Sequence, residues 1–177
     1  MIDKLRLFFA AWPDERAAAK LERWAREASR ATGGRVTRAQ TIHLTLAFLG
    51  EVPADRVPAA ADAAGRVSVP AHAFVIEEAR FWSHNRIVWA GPTELPAPLG
   101  ELAAQLRREL QAEGFRLEAR PFAAHVTLIR KAREPGALPP LPQITWPVTE
   151  FVLVCSTLAR EGSRYEVIGR YALAATA

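Results

Sequence analysis

The segment His43-Leu44-Thr45-Leu46 returns as His125-Val126-Thr127-Leu128 about half the chain later. In an extended strand residues i and i+2 project from one face, so each unit turns its His and Thr one way and its two aliphatic side chains the other. A period this long is not that of a solenoid, and predicts an internal duplication with one such strand in each half. Of the chain's four histidines, two stand in these units. Facing one cleft, the two strands would supply an acid, a base and a pair of hydroxyl donors. That set can cleave a phosphodiester without a metal.

The rest of the pattern predicts strands alternating with three helices. An early strand covers 5–10, and Pro13, Asp14 and Glu15 open a helix whose first turn suits proline and acids. Ala18, Leu21, Trp24, Ala25 and Ala28 keep helical spacing until Gly33-Gly34 stops it. A short polar strand at 35–38 leads to the first motif strand, 42–49, ending at Gly50. Pro53 and Asp55 begin a second helix with an inner stripe of Val57, Ala60, Ala61 and Ala64. Runs at 74–81 and 86–90 read as strands joined by the loop Trp82-Ser83-His84-Asn85. The third helix follows Pro98, carries Leu99, Leu102, Ala103, Leu106 and Leu110 on one face, and stops at Gly114. A short strand is expected at 115–117 and the second motif strand at 125–130. A proline-rich connection spans 134–147, and 151–158 with 164–173 close as a hairpin around Glu161-Gly162-Ser163. The whole is expected to be one domain over 1–177.

Composition narrows the function classes. A 177-residue chain with half its residues apolar and 24% charged suits a globular domain with a proper core. No apolar stretch approaches the roughly 20 residues that span a bilayer, so no membrane role is expected. The opening residues run straight into a strand pattern, with no secretory leader, so a cytoplasmic location is expected. Cys155 is the single cysteine, which excludes an intrachain disulfide, and its β-favouring surroundings predict a buried, inert thiol. The net charge of +4 comes from a basic set that is nearly all arginine, with Lys4, Lys20 and Lys131 the only lysines. Guanidinium pairs with phosphate in a two-pronged way that an ammonium cannot.

Imidazole titrates near neutral pH, so one ring can be charged while its partner is not. Phosphodiester cleavage needs that division, with a base for the attacking oxygen and an acid for the departing one. Threonine hydroxyls can donate to the non-bridging phosphoryl oxygens. A metal site is the obvious rival, yet neither motif shows His-x-x-x-His spacing or clustered carboxylates. His72 and His84 stand in turn-like sequence without acidic neighbours. There is no Gly-x-Ser-x-Gly turn, phosphate loop or dinucleotide fingerprint.

Four segments carry a family likeness. They are Leu5-Arg6-Leu7-Phe8-Phe9-Ala10-Ala11-Trp12-Pro13, His43-Leu44-Thr45-Leu46-Ala47-Phe48-Leu49-Gly50, Pro121-Phe122-Ala123-Ala124-His125-Val126-Thr127-Leu128-Ile129-Arg130 and Arg164-Tyr165-Glu166-Val167. Together they resemble the RNA 2′,3′-cyclic phosphodiesterases, the LigT-like members of the two-histidine phosphoesterase superfamily, first described as 2′-5′ RNA ligases. The resemblance implies a bilobal α+β fold, with two pseudo-symmetric antiparallel-rich sheets, helices on the outer faces and a central cleft. It implies hydrolysis of an RNA terminal 2′,3′-cyclic phosphate to a 2′-phosphomonoester without a metal, and the protein is expected to be a monomer with no cofactor. In the family's pattern His43 is the proton donor, His125 the base that activates water, and Thr45 and Thr127 hold the phosphate. The reverse reaction would form a 2′-5′ linkage.

Arg130 is a separate question. In a regular strand it has the opposite parity to His125 and Thr127 and would face away from the cleft, unless a bulge redirects it. The family commonly has a basic residue there, so Arg130 is expected to contact phosphate or RNA; the alternative is a solvated strand end. Arg35 and Arg38 could guide an RNA backbone, and Phe122 and the loop 82–86 are placed for the cleft rim. Trp24, Phe8, Phe9 and Phe48 are expected in the core. The rival functions are a phosphodiesterase for 2′-5′ oligonucleotides or small cyclic nucleotides, and a non-catalytic RNA- or nucleotide-binding module.

Overall fold

The computed structural model describes residues 3–160 and 162–175. In chain order these form β1 (Lys4–Ala11), α1 (Glu15–Thr32), β2 (Arg35–Val36), β3 (Leu44–Pro53), α2 (Val57–Gly65), β4 (His72–Ile76), β5 (Glu78–Trp82), β6 (Ile87–Gly91), α3 (Ala97–Ala112), β7 (Val126–Arg130), β8 (Ile144–Val148), β9 (Glu150–Ala159) and β10 (Gly162–Ala172). An eight-stranded sheet runs β10-β9-β1-β3-β7-β6-β5, with β2 also on β7, and β4 pairs with β8 in a second sheet. Every strand pairing is antiparallel. The chain is α+β with two antiparallel sheets and three helices, as expected.

The long helices follow their sequence pattern closely. In α1 the Asp14 carboxylate accepts the Ala17 N–H at 2.7 Å, satisfying one of the unpaired donors of the first turn. The expected stripe from Ala18 to Ala28 is buried, and the helix ends at Gly33 with φ of 60°. Pro13 lies just ahead of the cap and not in the first turn. In α3 all five expected apolar residues are buried, and Gly114 beyond the end has φ of 84°. α1 packs against β2, β7 and β8, α3 against β3, and α2 against α3 and β10.

Elsewhere the chain departs from expectation. The run 74–81 breaks at Glu77 into strands of different sheets. Glu77 N–H still donates to the Gly91 carbonyl at 3.0 Å, while its carboxylate accepts from Thr93 Oγ1 at 2.8 Å and Thr93 N at 3.1 Å. Residues 115–117 form no strand, and Phe115 instead lies under the Arg56 guanidinium, 4.9 Å from the ring centroid and within the roughly 6 Å reach of a cation–π contact. Pro147 belongs to β8, which has β4 as its one partner, so its missing N–H costs no inner hydrogen bond. The polar strand at 35–38 shortens to Arg35–Val36, followed by a 3-10 turn at Ala39–Thr41. β3 continues through Gly50 to Pro53, and α2 follows a 3-10 turn at Ala54–Arg56. The buried residues of α2 are Ala60, Ala63 and Ala64, with Ala63 in place of Ala61. Phe48 is 39% exposed, with the Arg6 guanidinium over its ring. In the terminal hairpin Gly162 and Ser163 start β10, while Glu161 lies outside the described residues.

The feature that positions the site is the seam between the halves of the large sheet. β3 and β7 share a single ladder pair, Leu44 with Val126. These are the middle residues of the two motifs, and both are fully buried in the core beneath the helices. Leu46 and Leu128 join them there. An antiparallel pair has a local twofold axis through its centre, so His43 comes level with Thr127 and Thr45 with His125. All four project from the face opposite the helices.

Candidate active site

A cavity of about 380 Å³ opens on that face, and His43, Thr45, His125, Thr127 and Arg130 all line it. The two histidines are diagonal neighbours across the seam, an arrangement that sets Cα atoms roughly 7–8 Å apart in an antiparallel pair. Each ring is oriented in the same way. His43 Nδ1–H donates to the Thr41 carbonyl at 2.8 Å, and His125 Nδ1–H donates to the Ala123 carbonyl at 2.9 Å. Both acceptors lie two residues back. Fixing the proton on Nδ1 leaves Nε2 of each ring as the atom for a reactant.

The two rings have different walls. His43 stacks on Trp12 at 4.9 Å and 21°, meets Phe8 at 5.0 Å, and takes the edge of Tyr165 at 5.2 Å. Phe8 belongs to a small apolar cluster with Ala10, Val152 and Val154, on the side of β1 away from the main core. His125 meets Trp82 at 4.8 Å, with Trp89 behind at 6.4 Å. Burial under these rings penalises the imidazolium, so His43 is lowered from 6.5 to about 4. The Thr41 carbonyl opposes the shift, while Arg130 and His125 add to it. Burial also lowers His125, opposed by the Ala123 carbonyl and assisted by Arg130.

Arg130 reaches the cleft because β7 bulges. Val88 pairs with Ile129 and Trp89 with Thr127, so Leu128 is an extra residue on β7. Leu128 and Ile129 are both buried, and the next side chain returns to the face of Thr127. Arg35 and Arg38 also line the cavity, with Thr37, Thr41 and Ser163 adding hydroxyls. Among the described residues no carboxylate lines it. The positive field and hydroxyl lining suit a phosphate. Among the described residues no three His, Cys, Asp or Glu side chains gather as a metal-binding group, and no helix is long and apolar enough to cross a membrane.

Some sequence expectations fall outside the cleft. Phe122 packs against the main core and not on the lining. Cys155 is half-buried, and burial, helped by Glu166, raises its thiol pKa. The wall of Trp12 and Tyr165 was not assigned from sequence, although both residues stand in the segments that carry the family likeness.

Comparison with known proteins finds relatives that span nearly the whole chain. The family described as LigT like Phosphoesterase matches twice, over residues 12–89 and 90–165. The chain is 37% identical to the RNA 2′,3′-cyclic phosphodiesterase of Escherichia coli K12, over 98% of this chain and 99% of that one. The crystal structure of E. coli LigT in apo form superposes with a TM-score of 0.89 at 36% identity, covering 97% of this chain and 99% of that one. The crystal structure of E. coli LigT complexed with 3′-AMP matches over the same shares, with a TM-score of 0.88 and 36% identity.

Proposed function

Because the chain belongs to the LigT-like phosphoesterase family, we propose that it is an RNA 2′,3′-cyclic phosphodiesterase, opening a terminal cyclic phosphate to a 2′-phosphomonoester. The observation that carries this reading is the pair of symmetry-related imidazoles, each held through Nδ1, on a cavity lined by arginines and hydroxyls. His125 takes a proton from water as its oxygen bonds to phosphorus. The bond from phosphorus to the 3′ oxygen breaks, and His43 protonates that oxygen. Thr45, Thr127 and Arg130 hold the non-bridging oxygens, where negative charge concentrates. Run in reverse with a 5′-hydroxyl in place of water, the same steps form a 2′-5′ linkage.

Arg35 and Arg38 extend the positive lining beyond what one cyclic phosphate needs, which favours a polynucleotide over a small cyclic nucleotide. The tandem family matches support one domain over 1–177, built of two intertwined lobes. Both halves of the cleft come from one chain, so the enzyme works as a monomer, in the cytoplasm where RNA is at hand. Phosphorus NMR of a cyclic-phosphate-ended oligonucleotide incubated with the protein and excess chelator tests the reading. A 2′-phosphomonoester is the expected product. A 3′-phosphomonoester would reverse the leaving group, inhibition by chelator would overturn metal-free chemistry, and an unreacted oligonucleotide would favour the binding module.

The lowered imidazoles add a condition. With His43 near 4 and His125 also lowered, both rings are neutral at pH 7 until an anion lies between them. A phosphate partly neutralises Arg130 and favours the charged form of a neighbouring imidazole. Anion binding therefore takes up a proton, and phosphate affinity falls as pH rises through the raised, bound-state pKa. Calorimetry of inorganic phosphate in buffers of different ionisation enthalpy will show net proton uptake at pH 7. Binding with no uptake, or tighter binding at higher pH, contradicts this source of the acid.

A further inference from the structure

Among the described residues two that are not glycine have positive φ: Arg86 at 58° and Lys131 at 56°. L side chains rarely adopt this conformation, and it persists where the surroundings enforce it. The two residues lie against each other. Arg86 Nε donates to the Ala132 carbonyl at 3.1 Å and Nη2 to the Lys131 carbonyl at 3.4 Å. The Arg86 carbonyl in turn accepts the Ala132 N–H at 3.0 Å. One arginine thus clips the turn that follows Arg130.

The turn is confined on its other side as well. Arg133 N–H donates to the Thr32 carbonyl at 2.7 Å. Gly34, with φ of 84°, runs so close that a Cβ would come within 2.6 Å of the Arg130 carbonyl oxygen. Arg86 itself ends the β5–β6 turn, between Trp82, which meets His125, and Ile87, which lines the cavity.

We propose that Arg86 is a positioning residue: its guanidinium locks the Lys131–Ala132 turn and thereby aims Arg130 at the phosphate between the two histidines. This rests on the phosphodiesterase reading for what Arg130 holds. The guanidinium is committed to backbone carbonyls, so its role is geometric and not that of a second phosphate ligand. An ammonium cannot span both carbonyls as the planar fork does.

The test is the affinity of the full chain for inorganic phosphate, read from the His43 and His125 imidazole resonances. It compares wild type, Arg130→Ala, Arg86→Ala, Arg86→Lys and the double variant. Loss of Arg130 is expected to weaken phosphate by about 10–100-fold, as for a charge-assisted hydrogen bond. Arg86→Ala weakens it by roughly 5–10-fold, and the double variant is no weaker than Arg130→Ala beyond about 2-fold. Arg86→Lys gives no recovery. The His125 pKa rises in Arg86→Ala in the direction seen in Arg130→Ala, because the nearby guanidinium charge is withdrawn.

Effects that multiply in the double variant, recovery in Arg86→Lys, or an unmoved His125 pKa would overturn the proposal. So would a wild type that binds no phosphate. Should Arg86→Ala fail to fold, Arg86→Lys carries the comparison, and wild-type affinity in it is contrary. Phosphate binding needs no turnover, so a wild type that binds phosphate but leaves cyclic ends intact contradicts the function reading alone.

Discussion

Asparagine in place of His125 is expected to lower kcat on a cyclic-phosphate-ended RNA by about 10²–10⁴-fold, the usual worth of positioned proton transfer. His43→Asn is expected to lose a similar factor on the same substrate. The two variants separate when the departing group needs no proton. On a p-nitrophenyl phosphodiester, His43→Asn recovers most of its rate while His125→Asn stays impaired, since water must still be activated. Equal recovery by both would exchange or remove the assigned roles. Circular dichroism keeps a folding defect from passing as a chemical one. Both rings are half-buried and line the cavity, so both variants should hold the native spectrum.

The second large effect is on acid stability. His43 titrates near 4 in the folded protein and near 6.5 when unfolded, so below pH 6.5 the unfolded chain binds the extra proton. Stability from this group is complete above pH 6.5 and is lost as pH falls toward 4. A displacement of this size corresponds to roughly 3 kcal/mol at the acid end. His43→Asn carries no such linkage, so wild type minus variant in urea unfolding should shrink by about that amount between pH 7 and pH 4. A difference that stays constant across this range would mean that the aromatic wall does not suppress the charge on His43.

The parts of this molecule legible in its sequence are those decided locally. α1 and α3 repeat apolar residues at helical spacing over 18 and 16 residues, and every member of the expected stripes is buried. The doubled motif was legible because strand alternation alone decides which face His and Thr share. Misreadings occur where a neighbour distant in sequence decides. Glu77 breaks a β-favouring run where its carboxylate accepts from Thr93, and Pro147 is tolerated because β8 has one partner. Arg130 shows this most clearly. Its parity on β7 argued against the cleft, and the bulge that reverses the argument exists through pairing with β6. Trp12 and Tyr165 reach His43 from β1's end and from β10, a proximity that no single segment encodes.

One consequence of the lone Leu44–Val126 pair concerns the direction of the chemistry. A twofold axis through the reacting centre makes the machinery ambidextrous: turned end for end, a substrate would meet the same imidazole and hydroxyl on each side. Which oxygen departs must then be dictated by whatever breaks the twofold equivalence. The candidates are the three-ring wall at one imidazole, the paired indoles at the other, and a guanidinium without a counterpart, since Phe48 stands at the position matching Arg130. Regiochemistry in this fold belongs to the surroundings, and is open to change without touching either imidazole.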